Sequence, residues 1–431
     1  MMSWLSQRLH PPAPSPAPAR DLALEGMRGL CAALVVYAHL FLPIRVLDPA
    51  WSPSPRFSWF NLGYAAVLFF FVLSGYVIGL VTTEPATGPG IRRYVLHRAA
   101  RLLPLNTVAV LVCGLLLAWP AWKTVTGNLL LLQNDEAYPL LGSFPVLEDN
   151  PNLWSLNYEA VFYLGFVVLW WRRSHVRWVL ALLLVLVIAH AVGLPVARVF
   201  ARYACGSLFW VAGLMVAWLT PPRETKEVRT AWPAAGLIAY AIWTFAPLRT
   251  VLLQLHLFNW VWPGPTPVSP HRCDFLPACV WLLLALSGRA PRLQRSFGWI
   301  CCAFAVAGAV SRVWVGEWRE VDPVAAVALV AAGAMLHRPC SLRPMEWLAP
   351  LGAVSFGLYI IAAPLQLGQR ALFPAFAGSG LTFSVRLVAV VAVVAGAAWV
   401  LERRIAPPIG RWIRRLGAPA PAREKQPAGT P

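Results

Sequence analysis

Apolar runs of membrane-spanning length recur along nearly the whole chain, and they constrain its fold more than any other feature. The 431 residues are 58% hydrophobic and only 13% charged, whereas soluble domains carry about 25% charged residues. The runs are continuous rather than alternating, which indicates helices and not lipid-facing strands. The sequence therefore predicts an all-α, polytopic transmembrane bundle of about 10–12 spanning helices, with no large soluble domain.

The apolar runs also set the boundaries of the predicted spans. Nine clear spans cover residues 27–44, 60–82, 102–121, 154–171, 176–194, 203–219, 232–253, 348–367 and 381–401, and weaker ones cover 274–288, 297–315 and 323–336. Pro/Ala-rich segments flank them. We expect a disordered leader over residues 1–20, a membrane domain over 21–415 and a disordered tail over 416–431.

Basic residues lie in short clusters between the apolar runs. Clusters such as 91–101 and 403–415 alternate with an acidic loop over 135–149, so the positive-inside rule predicts that both termini are cytoplasmic. The same rule accounts for the formal net charge of +18, and no nucleic-acid partner is expected. The eight cysteines form no CxxC pair and predict no metal site. Cys273 and Cys279 are a minor candidate pair.

Arg28 and His39 stand in the apolar stretch GMRGLCAALVVYAH (26–39). Eleven helical residues turn close to three full turns and rise about 16 Å, so both side chains point the same way. Arg28 would lie at one membrane face and His39 near mid-membrane, where a histidine can deprotonate a hydroxyl. Alternatively, Arg28 anchors the helix end and His39 makes a buried hydrogen bond.

A second group of basic residues precedes the third span. In HRAAR (97–101), Arg98 and Arg101 are three apart, so they are neighbours on one helical face. Arginine pairs bind phosphates in a bidentate manner, and Arg93 lies just upstream. The alternative is a topology anchor at the membrane surface.

Glu159 lies inside the apolar stretch NLWSLNYEAVFYL (152–164). A carboxylate there costs several kcal/mol unless it is paired, so it indicates either a functional group or a structural pair between helices. By contrast, Ser74-Gly75 in FFFVLSGYVIG (69–79) predicts close helix packing. His190 is expected to be a satisfied core histidine.

Four stretches, taken in order, resemble successive motifs of the acyltransferase-3 family of membrane-bound O-acyltransferases: GMRGLCAALVVYAH, FFFVLSGYVIG, HRAARLLP and WSLNYEAVFY. LGAVSFGLYIIAAP (351–364) is similar to the family's late Ser-Tyr-x-x-Tyr segment, and WVLERRIAPP (399–408) to its terminal Glu-x-x-Pro-like element. The late segment departs from the family pattern, because Phe356 replaces a tyrosine and Ala362 stands where a histidine is common. Glu402 is also further from Pro407 than the family pattern has it.

The resemblance implies a bacterial, acyl-CoA-dependent enzyme of the cytoplasmic membrane. It would move an acyl group, by expectation acetyl, to a hydroxyl of a carbohydrate or a glycosylated metabolite. Acyl-CoA is then a co-substrate, and no bound cofactor is expected. The expected site consists of catalytic His39, Arg28 and Glu159 and of donor-binding Arg98, Arg101 and Arg93.

Two alternatives stay open at this point. A transporter or flippase of a lipid-linked saccharide could also carry charged residues within its spans, although such proteins favour inverted repeats, which this sequence does not show. A non-catalytic membrane sensor descended from the acyltransferases would fit the missing late histidine.

Overall fold

A computed structural model describes residues 21–41, 47–117, 119–138, 142–172, 175–191, 198–220, 229–249 and 270–416. Nearly all of this is helical, which confirms the all-α membrane bundle. The leader 1–20 and residues 417–431 of the predicted tail lie outside the described residues, so the expectations for them stay predictions.

The helices follow one another with few strands between them. In chain order they are α1 (Leu22–Phe41), α2 (Gly63–Val81), α3 (Gly88–Leu116), α4 (Trp122–Leu129), α5 (Trp154–Trp171), α6 (Val176–Ala191), α7 (Arg198–Leu219), α8 (Trp232–Phe245), α9 (Leu276–Ser287), α10 (Pro291–Val315), α11 (Asp322–Met335), α12 (Arg343–Trp347), α13 (Ala349–Gly352), α14 (Ser355–Leu372), α15 (Gly380–Val400) and α16 (Ala406–Arg415). Two antiparallel pairs join β1 (Asn134–Tyr138) to β2 (Gly142–Phe144) and β3 (Arg229–Thr230) to β4 (Cys340–Ser341).

Within the described residues each predicted span overlaps a helix, with 348–367 divided between α13 and α14, but the helices differ in length. Within the described residues, seven segments are long and apolar enough to cross a membrane, whereas α8 and α9 have only 14 and 12 residues. A straight crossing needs about 20 residues. The number of crossings therefore stays a prediction.

The helix α3 begins earlier than the predicted third span. It runs for 29 residues and includes the basic cluster 91–101. Thr87 caps its first turn by accepting a hydrogen bond from the N–H of Gly90, and a proline follows at the start of the helix, where its missing N–H costs nothing. The basic cluster and the apolar span are thus one continuous helix.

Small residues bring α2 and α7 together, as the Ser74-Gly75 pair predicted. A Cβ atom added to Gly75 would stand 1.9 Å from the carbonyl oxygen of Trp210, and one added to Gly213 would stand 1.9 Å from that of Val72. Neither position tolerates a side chain without moving backbone. This close contact fixes α2, which forms one wall of the site described below.

Buried amides hold the start of α5 in place. The side chain of Gln133 donates to the carbonyl oxygen of Leu153 at 2.6 Å, and that of Asn157 donates to Leu131 at 2.7 Å. Both amides are buried. Removing either amide would leave a buried carbonyl oxygen without its donor, which is costly, so the first turns of α5 are firmly positioned.

Candidate active site

Arg28 lies in the second turn of α1, facing the interior of the bundle. Its Nη1 donates to Oε1 of Glu25 at 3.1 Å, and its side chain is about 20% exposed. The two residues are three apart and share one helical face. A guanidinium has five N–H donors, so most of them remain to face the pocket that Arg28 lines.

Arg98 and Arg101 reach the same pocket from α3, as their spacing predicted. The guanidinium of Arg98 stacks over two rings, 5.2 Å from the centroid of Tyr94 and 5.3 Å from that of Tyr163. Its Nε is buried and has no hydrogen-bond partner among the described residues. A buried donor without a partner is costly, so the two stacked rings are the main support for this guanidinium.

Glu159 lines the pocket from α5. It accepts a hydrogen bond from the hydroxyl of Ser74 at 3.5 Å and a short one from the hydroxyl of Tyr163. Within the described residues its hydrogen-bond partners are therefore hydroxyls rather than an arginine. Its charge nevertheless acts on both Arg28 and Arg101, so it partly balances the cations around it.

These side chains form what we call the arginine pocket, which encloses about 720 Å³, part of it open to solvent. Three arginines against one glutamate leave its lining positive. The remaining lining is mostly apolar. In full, the pocket is lined by Arg28, Val67, Phe70, Phe71, Leu73, Ser74, Val77, Arg98, Arg101, Ser155, Leu156, Glu159, Ser355, Phe356 and Tyr359.

His39 lies in a second pocket, the histidine pocket, which encloses about 300 Å³. The spacing of Arg28 and His39 predicts that both side chains point the same way, but the structure places them in two adjoining pockets. Val67 and Tyr359 line both pockets and form the wall between them. The rest of its lining combines the polar or aromatic side chains of Asn61, Tyr64, Asn152 and Trp154 with the small residues Val35, Ala38 and Gly63.

Tyr359 is held firmly in this shared wall. Its hydroxyl donates to the carbonyl oxygen of Asn152 at 2.8 Å and lies 2.7 Å from the hydroxyl of Ser155. The amide of Asn152 in turn donates to the carbonyl oxygen of Tyr359 at 2.8 Å. Hydrogen bonds therefore hold both the hydroxyl and the backbone carbonyl of Tyr359.

Sequence analysis did not assign roles to Ser155 and Tyr359. Ser155 precedes Glu159 by four residues, so it shares the same helical face, and that spacing could have revealed it. Tyr359 lies inside the late segment 351–364, which departs from the family pattern at Phe356 and Ala362. The structure shows that this segment lines both pockets, with Phe356 in the arginine pocket.

Glu402 supports the same segment, although it lies 45 residues after Gly357 in the sequence. Its Oε1 accepts a hydrogen bond of 2.9 Å from the backbone N–H of Gly357, in the first turn of α14. A carboxylate at a helix N-terminus is favoured by the helix dipole. Glu402 therefore fixes the end of α14 that carries Ser355 and Phe356 into the arginine pocket.

Other residues singled out in the sequence lie elsewhere. Arg93 is exposed on α3, outside both pockets, and His190 is buried in α6. The thiol of Cys273 has Cys205 as its neighbour rather than Cys279, with 3.1 Å between the two Sγ atoms. The reason is that the 3₁₀ turn Pro270–Phe275 packs against α7.

Comparison with known families bears on the first of the two alternatives, the transporter or flippase, and leaves the sensor descended from the same family untested. A family model described as an acyltransferase domain, that of the acyltransferase-3 family, matches residues 21–403. The chain belongs to the acyltransferase-3 family. Comparisons with the curated proteins and with the solved structures find no match. The membership confirms the resemblance of the motifs and makes this chain a membrane acyltransferase, which disfavours a transporter or flippase.

Proposed function

We propose that this acyltransferase-3 protein transfers an acyl group, by expectation acetyl, from acyl-CoA to a hydroxyl of a carbohydrate or a glycosylated metabolite. One observation carries the proposal: Arg28, Arg98 and Arg101 converge on one pocket, and that pocket shares a wall with the pocket of His39. The first pocket suits an anionic donor, and the second supplies a base for the acceptor.

The arginine pocket has the charge and the shape for the donor. Coenzyme A is a polyanion attached to a long, narrow pantetheine arm. Val67 to Val77 of α2 line the pocket along roughly 15 Å of helix axis, between the arginines and the shared wall. An arm that enters beside Arg98 and Arg101 would bring its thioester close to Val67 and Tyr359.

The proposed chemistry takes place at the shared wall. An acceptor hydroxyl in the histidine pocket gives its proton to the imidazole of His39, and its oxygen attacks the thioester carbonyl carbon. The tetrahedral intermediate then expels the CoA sulfur, which receives a proton from the imidazolium. The hydroxyl of Ser155 serves the developing oxyanion if it exchanges its bond to the Asn152 carbonyl for one to the oxyanion.

Arg28 and Glu159 then act on the donor rather than on the reacting carbonyl. Arg28 is about 16 Å from His39 along α1, so it serves to hold the anionic part of the donor. Glu159 binds Tyr163, on whose ring Arg98 stacks. It therefore positions Arg98, and with it the donor.

The aromatic and amide lining of the histidine pocket favours a sugar as acceptor. The rings of Trp154 and Tyr64 offer flat apolar surfaces, and the amides of Asn61 and Asn152 offer hydrogen bonds. Pockets that bind small molecules combine these two features in the same way. For the donor to come from the cytoplasm, the basic clusters must face that side, as they would in a bacterial cytoplasmic membrane with both termini inside.

Purified protein supplied with labelled acetyl-CoA tests the proposal. We expect slow hydrolysis without an acceptor, and a donor KM that rises about tenfold or more in Arg101→Ala because a charge-assisted phosphate contact is lost. Lysine at this position should restore binding only in part, since it lacks the guanidinium fork. Arg292→Ala, on the exposed start of α10, is the control. An unchanged donor KM in Arg101→Ala would contradict the proposed donor site.

A further inference from the structure

The helix α16 packs across the part of α3 that carries Arg98 and Arg101. Gly410 approaches the carbonyl oxygen of Ala100 so closely that a Cβ there would stand 3.2 Å away. At the other end, Nη2 of Arg92 donates to the carbonyl oxygen of Leu416 at 2.5 Å. Since Ala100 lies between the two pocket arginines in sequence, α16 is fixed beside the arginine pocket.

The two faces of α16 differ in chemistry. Successive residues turn by about 100°, which places Arg411, Arg414 and Arg415 on one side and Ile409 and Trp412 on another. All five are exposed, Trp412 at 62%. A basic side beside an apolar stripe is typical of a helix at a membrane–water interface, so the arginines face the aqueous side.

Two side chains of α3 connect this basic side with the arginine pocket. Arg93 and His97 are exposed and lie on the helical face between Arg101, which lines the pocket, and Ala100, which contacts α16. His97 lies close enough to Arg93, Arg98 and Arg414 for their charges to act on it. A positive surface therefore continues from the pocket outward to α16.

We propose that this surface binds the nucleotide end of the acyl donor, the 3′-phosphorylated ADP of coenzyme A. This inference rests on the proposed function and extends it to a part of the donor that the pocket does not accommodate. The wall of roughly 15 Å along α2 is long enough for the pantetheine arm, which leaves the diphosphate beside the pocket arginines and the rest of the nucleotide, with its 3′-phosphate, outside the pocket. The outer phosphate surface consists of Arg93, His97, Arg411, Arg414 and Arg415.

Two donors that differ only in the nucleotide test this inference. In Arg411→Gln/Arg414→Gln, the KM for acetyl-CoA should rise about fivefold or more, since two exposed charge contacts are lost, and the KM for acetyl-pantetheine should not change. The affinity for adenosine 3′,5′-bisphosphate should fall by a similar factor. Arg292→Gln/Arg295→Gln removes two exposed arginines from α10, which packs on α8, α9 and α11, and should change neither donor.

The lipid must be controlled, because anionic headgroups carry the same phosphate chemistry. Measurements in bilayers of phosphatidylcholine alone should preserve the difference between the two donors. Equal KM changes for both donors, or an effect that appears only with phosphatidylglycerol, would overturn the inference and assign the surface to lipid. If wild-type protein turned over no acyl-CoA, the proposed function would fail, and saturable binding of the bisphosphate that depends on Arg411 and Arg414 would still decide this inference.

Discussion

Asn150 donates a hydrogen bond of 2.7 Å from its side-chain amide to the backbone carbonyl oxygen of Ile360. In a regular helix that carbonyl would accept from the residue four positions later, which here is Pro364 and has no N–H. Both Asn150 and Ile360 are buried. Asn150 therefore supplies the donor that the proline withholds, at the residue directly after Tyr359 of the shared wall.

Replacing Asn150 should destabilise the protein by leaving a buried carbonyl unsatisfied. Asn150→Ala is expected to cost about 1–3 kcal/mol, seen as a lower unfolding temperature of the purified protein. The matched background is Pro364→Ala, which restores the helical N–H. There, Asn150→Ala should cost clearly less. Equal losses in both backgrounds would show that the Ile360 carbonyl does not need Asn150.

Val67 and Tyr359 separate the two pockets, so enlarging Val67 should block transfer without weakening donor binding. We expect Val67→Phe to lower the rate of acyl transfer by at least about tenfold, because small misplacements of reacting groups are costly. The Kd for acyl-CoA should stay close to the wild-type value. Val81→Phe, at the 53% exposed end of the same helix, controls for the added ring. Near wild-type transfer in Val67→Phe would place the thioester elsewhere.

Asp48 links the segment after α1 to the start of α15. Burial raises the pKa of this carboxyl, but hydrogen bonds from the Thr382 hydroxyl and the N–H groups of Ala50 and Gly378 outweigh it and hold the pKa below its usual range. The lowered pKa means that the carboxylate stabilises the fold above the unfolded pKa of about 4. This contribution is lost as the pH falls through the folded pKa.

Unfolding temperatures at two pH values test whether the ionised carboxylate of Asp48 stabilises the fold. Wild-type protein should exceed Asp48→Asn in Tm at pH 5, and the difference should shrink at pH 3. A difference that stays constant, or grows, on acidification would contradict the assignment of the stabilising charge to Asp48.

The sequence alone identifies most of the charged groups of the site, but it does not predict how they are arranged in space. Arg28, Arg98, Arg101 and Glu159 stand out because ionisable groups in apolar segments are costly, and all four line one pocket. The wall that sets His39 apart depends on Tyr359, which reaches it from a helix more than 300 residues later. Helical periodicity carries no information about such a contact.

Spacing misleads where the chain turns or reaches the surface. Arg93 lies eight residues before Arg101 and so on nearly the same face, but it is exposed beyond the pocket. The neighbour of Cys273 is Cys205 and not Cys279, because the 3₁₀ turn before α9 turns its side chain toward α7. Both outcomes depend on how the elements pack and where they reach the surface. The spacing of residues along the sequence does not show either.

Orientation in the membrane can be read by labelling cysteines introduced at exposed sites. Glu148→Cys, in the predicted outer loop, should react with an impermeant reagent on intact cells, and Arg338→Cys should react only after lysis. The unsubstituted chain gives the background from native thiols. The reverse pattern would invert the proposed topology and place the arginine pocket on the wrong side for a cytoplasmic donor.

Transfer from labelled acetyl-CoA in His39→Gln tests the central claim most directly. Glutamine keeps hydrogen bonding but cannot take up a proton, and loss of a general base typically lowers the rate by about 10²–10⁴. We expect that loss in His39→Gln with the donor KM and the unfolding temperature unchanged, and near wild-type transfer in the control His175→Gln, an exposed residue outside both pockets. Near-normal transfer by His39→Gln would contradict the proposed mechanism.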